Sequence, residues 1–196
     1  STTFGWGVEE DQTWIHHLSE SLKLPIINGG VPGWSTEQAR EGLERWAALQ
    51  PTKILLSYGV RDAQLSARAD RDALRPPWWS QLQLMRLLRG GLERPQEPAP
   101  LGTQPRVSPE HFAENLEHIL QRWPQAEWVL FPFPQREPLS EWDAVLRTLG
   151  GLERVRLPED SFFSEDPIHL TPEGHRRLSA ELSASLGLSP TLRPPE

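Results

Sequence analysis

Asp166 and His169 put a carboxylate and an imidazole three positions apart, inside the stretch Asp166-Pro167-Ile168-His169-Leu170-Thr171-Pro172-Glu173-Gly174-His175. An Asp that accepts from one ring nitrogen of a His sets its tautomer and leaves the other nitrogen to take a proton, which is half of a Ser-His-Asp hydrolase site. Pro167 disfavours helix at Asp166, so the pair sits on a constrained loop. Thr171, Pro172 and Glu173 then read as N-cap, first helical position and first-turn acid. Alone, the pair is also consistent with a loop Asp and a loop His that share no role. As metal ligands the two lack a third partner at suitable spacing. The hydrolase reading needs a nucleophile and oxyanion donors elsewhere in the chain.

The rest of the chain supplies elements that could bring such groups together. Asp11 is the expected cap of a helix to about Leu22, with Trp14, Ile15, Leu18 and Leu22 on one face. Pro25-Ile26-Ile27 reads as a short buried strand ending in the Gly-rich loop Asn28-Gly29-Gly30-Val31-Pro32-Gly33. Ser35 opens a helix whose buried side includes Leu43, Trp46, Ala47 and Leu49, and 53–58 is a second strand running into Gly59-Val60-Arg61-Asp62. After an irregular insertion at about 63–106 the alternation resumes: a helix from Ser108 to about Trp123, a strand at 127–131, a helix at about 139–149, a short strand at 153–157 and a closing helix to about Leu186. Helix and strand in alternation with short connections predict an α/β fold with a parallel sheet. Ligands then sit at the C-terminal ends of the strands, where the loops 28–33 and 59–62 fall. The insertion carries an apolar helical piece from Trp78 to Leu88 and a Pro-rich linker, and is either a lid or a plain surface excursion.

Bulk properties narrow the classes. The 196 residues suit one α/β domain, expected over 1–188 with a Pro-rich tail at 189–196. A net charge of −7 with Lys and Arg dispersed leaves no basic stripe, so no nucleic-acid partner is expected. The chain has no cysteine, hence no thiolate chemistry, and no apolar run long enough to span a membrane. Compartment and oligomeric state are left open.

Four loops converge on one rim of the expected sheet, and in their order the chain resembles the SGNH hydrolases, the GDSL-type esterases and lipases. Ser1-Thr2-Thr3-Phe4-Gly5 matches the family's first block, Gly-Asp-Ser-x-Thr-x-Gly, from its Ser onward. Asn28 to Gly33 matches Asn-x-x-x-x-Gly, Gly59 to Asp62 matches Gly-x-Asn-Asp except at its third position, and Asp166 with His169 matches Asp-x-x-His. The resemblance implies a three-layer α/β/α sandwich with a central parallel sheet, flavodoxin-like, and an ester hydrolase that needs no metal or cofactor. It implies Ser1 as nucleophile, His169 as base and Asp166 as its orienting carboxylate, with the Ser1 and Gly33 backbone N–H groups as oxyanion donors. The substrate would be a small-molecule or carbohydrate ester, including an O-acetylated sugar, and acyl transfer to a sugar could use the same groups. The family's first strand and its Gly-Asp are not in the sequence, and the expectation is that they precede Ser1.

Arg61 stands where the family has an Asn that donates to the oxyanion. Three roles are open: a salt bridge that folds it away, with Asp62 the nearest carboxylate; an anion-binding group for the substrate; or an impaired site, which would make the protein a weakly catalytic binder on the same fold. Trp34, directly after Gly33, is a candidate wall of the substrate pocket or a core residue. The other histidines carry less. His16 and His17 read as surface or partly buried, His111 and His118 share a helix face without a ligand pattern, and His175 reads as a capping or surface residue. Trp78-Trp79 suggest a lid or protein contact, and Asp70-Arg71-Asp72 a solvated turn.

Overall fold

The computed structural model describes residues 1–74 and 102–186. Its centre is a parallel ladder of two strands, β1 (Lys53–Leu56) and a later strand, Glu127–Leu130, paired Ile54 to Trp128 and Leu55 to Val129. A two-residue antiparallel pair, β2 (Leu65–Ser66) and β3 (Gln104–Pro105), lies between them in sequence, which makes Glu127–Leu130 β4. Around these stand α1 (Trp14–Leu22), α2 (Thr36–Glu41), α3 (Asp70–Leu74), α4 (Pro109–Leu120), α5 (Ser140–Thr148) and α6 (Pro172–Ser185).

Side chains alternate across a strand, and the packing on β1 follows that period. Leu55 joins the cluster built by Trp14, Ile15 and Leu18 of α1 and Leu178 and Leu182 of α6. Ile54 and Leu56 face the other way, onto Ala39 of α2 and Ile119 of α4, and Leu56 also reaches Phe112 and Leu116. Helices therefore cover both faces of a parallel sheet, the arrangement of an α/β protein.

The helix starts follow local chemistry. Thr13 Oγ1 accepts the His16 N–H at α1, Ser108 Oγ the His111 N–H at α4, and Thr171 Oγ1 the Gly174 N–H at α6. Pro occupies the first turn in the last two. The expected cap at Asp11 is displaced: Glu10–Gln12 form a 3-10 turn, and Thr13 caps α1. The helix expected from Ser35 to Pro51 breaks at Gly42, beyond which Leu43–Trp46 is 3-10. The Trp34 ring packs against Gly42 so closely that a Cβ there would collide with it.

Two expected strands join no ladder among the described residues. Pro25-Ile26-Ile27 pairs with no strand among the described residues. The stretch 153–157 is anchored ahead of its start, where the Leu152 N–H donates to Leu130 O at 2.8 Å, without continuing into a ladder. Of the insertion, only its two ends are described. They are clamped together by β2 and β3 and by the Arg106 N–H to Gln64 O and Val107 N–H to Asp62 O bonds. Trp78, Trp79 and the rest of the apolar piece lie outside the described residues, as does the tail from 189.

Candidate functional site

The loop at 163–169 is held from both sides. The Phe163 N–H donates to His169 O and the Asp166 N–H to Phe163 O, while Arg136 donates to the carbonyls of Phe163 and Ser164. Asp166 Oδ1 accepts the backbone N–H groups of Ile168 and His169, each at 3.0 Å. That leaves Oδ2 for the imidazole. A carboxylate only accepts, so His169 Nδ1–H donates to Asp166 Oδ2 at 2.5 Å. Nε2 is then the accepting nitrogen, and it stands 2.9 Å from Ser1 Oγ. Residues 168 positions apart in sequence thus form one hydrogen-bonded chain from hydroxyl to carboxylate.

Burial separates the two members of the pair. His169 is only 8% exposed, while Asp166 is half-buried. Partial burial pushes the Asp166 carboxyl upward, but bonds from the His169 ring and from the Ile168 and His169 N–H groups outweigh it, so its pKa lies below the ordinary carboxylate value. Asp166 is therefore charged at neutral pH and able to stabilise an imidazolium.

Ser1 is positioned by the Gly-rich loop. Asn28 Nδ2 donates to Thr3 O at 3.2 Å and Phe4 O at 3.4 Å, while Asn28 Oδ1 accepts the Gly30 N–H. Gly30 lies so close to the Thr3–Phe4 backbone that any Cβ there would overlap it. The Gly5 and Trp6 N–H groups close the turn onto Ser1 O. Gly33 ends this loop at φ 79°, a conformation that glycine adopts without strain. Its N–H meets no acceptor among the described residues. Its carbonyl accepts from Arg106 Nη1 at 3.0 Å.

No local motif marks Arg106 in the sequence. Arg106 also binds Asp70, with Nε at 3.0 Å from Oδ1, and Gln38. Asp70 takes the Ser35 hydroxyl at 2.6 Å as well. Asp70 is therefore buried, and Arg71 bridges Glu37 and Glu114, so the expected solvated turn at 70–72 is instead a clasp on the start of α2. Nothing local marks this, because Asp70 and Arg106 are brought together across the insertion. His175 is a second correction. It is 1% exposed, and its Nδ1 accepts the Trp14 N–H at 3.1 Å.

Asp62 and Arg61 part company. Asp62 is fully buried and accepts from Thr36 N, Thr36 Oγ1 and Gly59 N, tying the end of β1 to the start of α2. Burial pushes its pKa up against those hydrogen bonds. It is not a partner for Arg61, whose Nη1 instead donates to Gln64 Oε1 at 2.9 Å. Arg61 makes no ion pair among the described residues, and its buried Nε–H has no partner there.

Two cavities meet at Val60 and Arg61. The larger has Ser1, Trp34, Val60 and Arg61 in its wall. It is mostly apolar, and Gly33 does not line it. Trp34 also stacks under Arg45 and packs against the cluster that contains Ala39 and Leu43. The smaller, about 310 Å³, is lined by Ile168, Leu139 and Gln135 beside Val60 and Arg61. His16 and His17 are half-buried, and among the described residues no three His, Asp or Glu converge as a metal-binding group.

The family model described as "GDSL-like Lipase/Acylhydrolase family" matches residues 1–177. The chain belongs to that GDSL family. Its fold is similar to that of a structure described as "a putative lipolytic protein of G-D-S-L family from Desulfitobacterium hafniense DCB-2", with a TM-score of 0.60 at 12% identity over 94% of both chains. No curated protein sequence matches it. Membership of the GDSL family carries a general ester-hydrolase role and small-molecule ester substrates. No helix among the described residues is long and apolar enough to cross a membrane.

Proposed function

We propose that this GDSL-family chain cleaves carboxylic esters through an acyl-enzyme on Ser1. Ser1 Oγ attacks the ester carbonyl while His169 Nε2 takes its proton, and Asp166 stabilises the imidazolium. The tetrahedral intermediate collapses as His169 returns that proton to the departing alkoxide. Water then adds to the acyl carbon with His169 again as base, and the acid leaves as Ser1 regains its hydrogen. The Ser1 and Gly33 backbone N–H groups are the oxyanion donors in this reading. The support is one observation, the unbroken hydrogen-bond chain from Ser1 Oγ through His169 to Asp166.

A fluorophosphonate probe tests it on the full-length protein. Labelling that maps to Ser1, disappears in Ser1→Ala and accompanies 4-nitrophenyl acetate hydrolysis is the expected result. No labelling and no hydrolysis would sink the enzyme and leave a binder on the same fold, the reading that Arg61 at the oxyanion position favours.

A further inference from the structure

The smaller cavity has walls of unusual charge for a protein with a net charge of −7. Val60, Leu139 and Ile168 are apolar, Gln64 and Gln135 bring neutral amides, and among the described lining residues Arg61 is the single ionised side chain. Among the described residues no Asp or Glu lines this cavity or the larger one, and Asp166 is already engaged by His169 and two backbone N–H groups. The guanidinium has five N–H donors in a planar fork suited to carboxylate and phosphate oxygens. Gln64 takes a bond from Nη1, and the Nε–H, buried, has no acceptor among the described residues. An unpaired buried donor costs free energy, and the Nη2 N–H groups of the fork likewise have no acceptor among the described residues, which leaves them for an anionic group. The location also fits a substrate group. Arg61 lines both cavities, and the larger of them also has Ser1 in its wall, so the guanidinium and the nucleophile share one space.

Resting on the ester-hydrolase reading above, we infer that Arg61 selects esters carrying a carboxylate or phosphate a few bonds from the scissile carbonyl, held in the cleft between Gln64, Gln135 and Ile168. The anion is bound and not transformed. Arg61 here is a specificity residue, and the oxyanion is left to the backbone donors.

Equilibrium binding to a Ser1→Ala protein separates this inference from the hydrolase reading, because it needs no turnover. By titration calorimetry, monomethyl succinate should bind at least about tenfold more tightly than the neutral dimethyl succinate, as expected for a charge-assisted hydrogen bond. Arg61→Gln should erase that preference, and Arg61→Lys should restore part of it. In the Ser1 protein, Arg61→Gln should raise KM for 4-nitrophenyl hydrogen succinate about tenfold more than it raises KM for 4-nitrophenyl butyrate. Equal affinity for the two succinates, or no detectable binding of either, overturns the inference. So does an Arg61→Gln loss in kcat shared by both nitrophenyl esters, which would make Arg61 an oxyanion donor. Binding as expected without hydrolysis by the Ser1 protein would overturn only the hydrolase reading.

Discussion

His175 Nδ1 accepts the backbone N–H of Trp14 at 3.1 Å, pinning the first residue of α1 to the first turn of α6. The bond lies inside the apolar cluster that these helices share, one turn beyond the loop that presents His169. A helix leaves its first N–H groups without intrahelical acceptors, and here a buried imidazole satisfies one of them.

Acid stability should report on this bond. Burial, then the nearby His17 and His169, lowers the His175 pKa from its ordinary 6.5 to about 4. Below 6.5 the unfolded chain binds a proton that the folded chain refuses until about pH 4, so this contribution is fully present above 6.5 and is lost as pH falls through that interval. The loss is on the order of 3 kcal/mol. Urea midpoints for His175→Asn, which keeps an acceptor and does not titrate, should fall less between pH 7.5 and 4 than those of the parent. Parallel curves would show that His175 titrates normally.

Asp166→Asn should leave the fold intact and lower turnover of a neutral ester by about 10³–10⁴, because an amide does not impose the tautomer that leaves Nε2 free for Ser1. Steady-state kinetics beside a thermal melt separates the two effects. A loss below tenfold would remove Asp166 from the proposed mechanism.

Gly30→Ala tests how Ser1 is placed. A Cβ at position 30 overlaps the Thr3–Phe4 backbone, so the chain must shift around the nucleophile. Overpacking of this kind costs about 1–3 kcal/mol. Activity should fall by more than about tenfold at a temperature where the variant is still folded, since small misplacements of reacting groups are expensive. Unchanged kcat in a folded variant would show that the 28–33 loop does not position Ser1.

Arg106→Met should destabilise the protein by about 3–5 kcal/mol, because it strands the Asp70 carboxylate in a buried setting and frees the Gly33 carbonyl. Adding Asp70→Asn should recover part of that loss, so the double variant should melt above Arg106→Met alone. Strict additivity of the two changes would mean that the pair is not coupled.

The sequence by itself determined membership and order. Four short blocks in series mark a GDSL-family α/β protein, and local signals placed the helix starts at Ser35, Ser108 and Thr171, because caps and periodicity depend on residues within a few positions of one another. It also singled out Ser1, Asp166 and His169 as candidates. Only the tertiary structure decided their geometry: Ser1 Oγ and His169 Nε2 meet across 168 positions, a distance that no local pattern encodes. Long-range burial likewise turned His175 from an expected surface residue into an internal acceptor and Asp70 from a solvated turn into half of a buried ion pair. Arg61 shows the same division. The sequence marked it as a departure from the family's Asn, but its freedom from Asp62 follows from the three N–H and O–H donors that Asp62 already accepts, and those donors come from Thr36 and Gly59. Residue type dictates what a side chain can bind; which partners come within 3 Å of it depends on how helices packed on both faces of β1 bring distant loops to one rim.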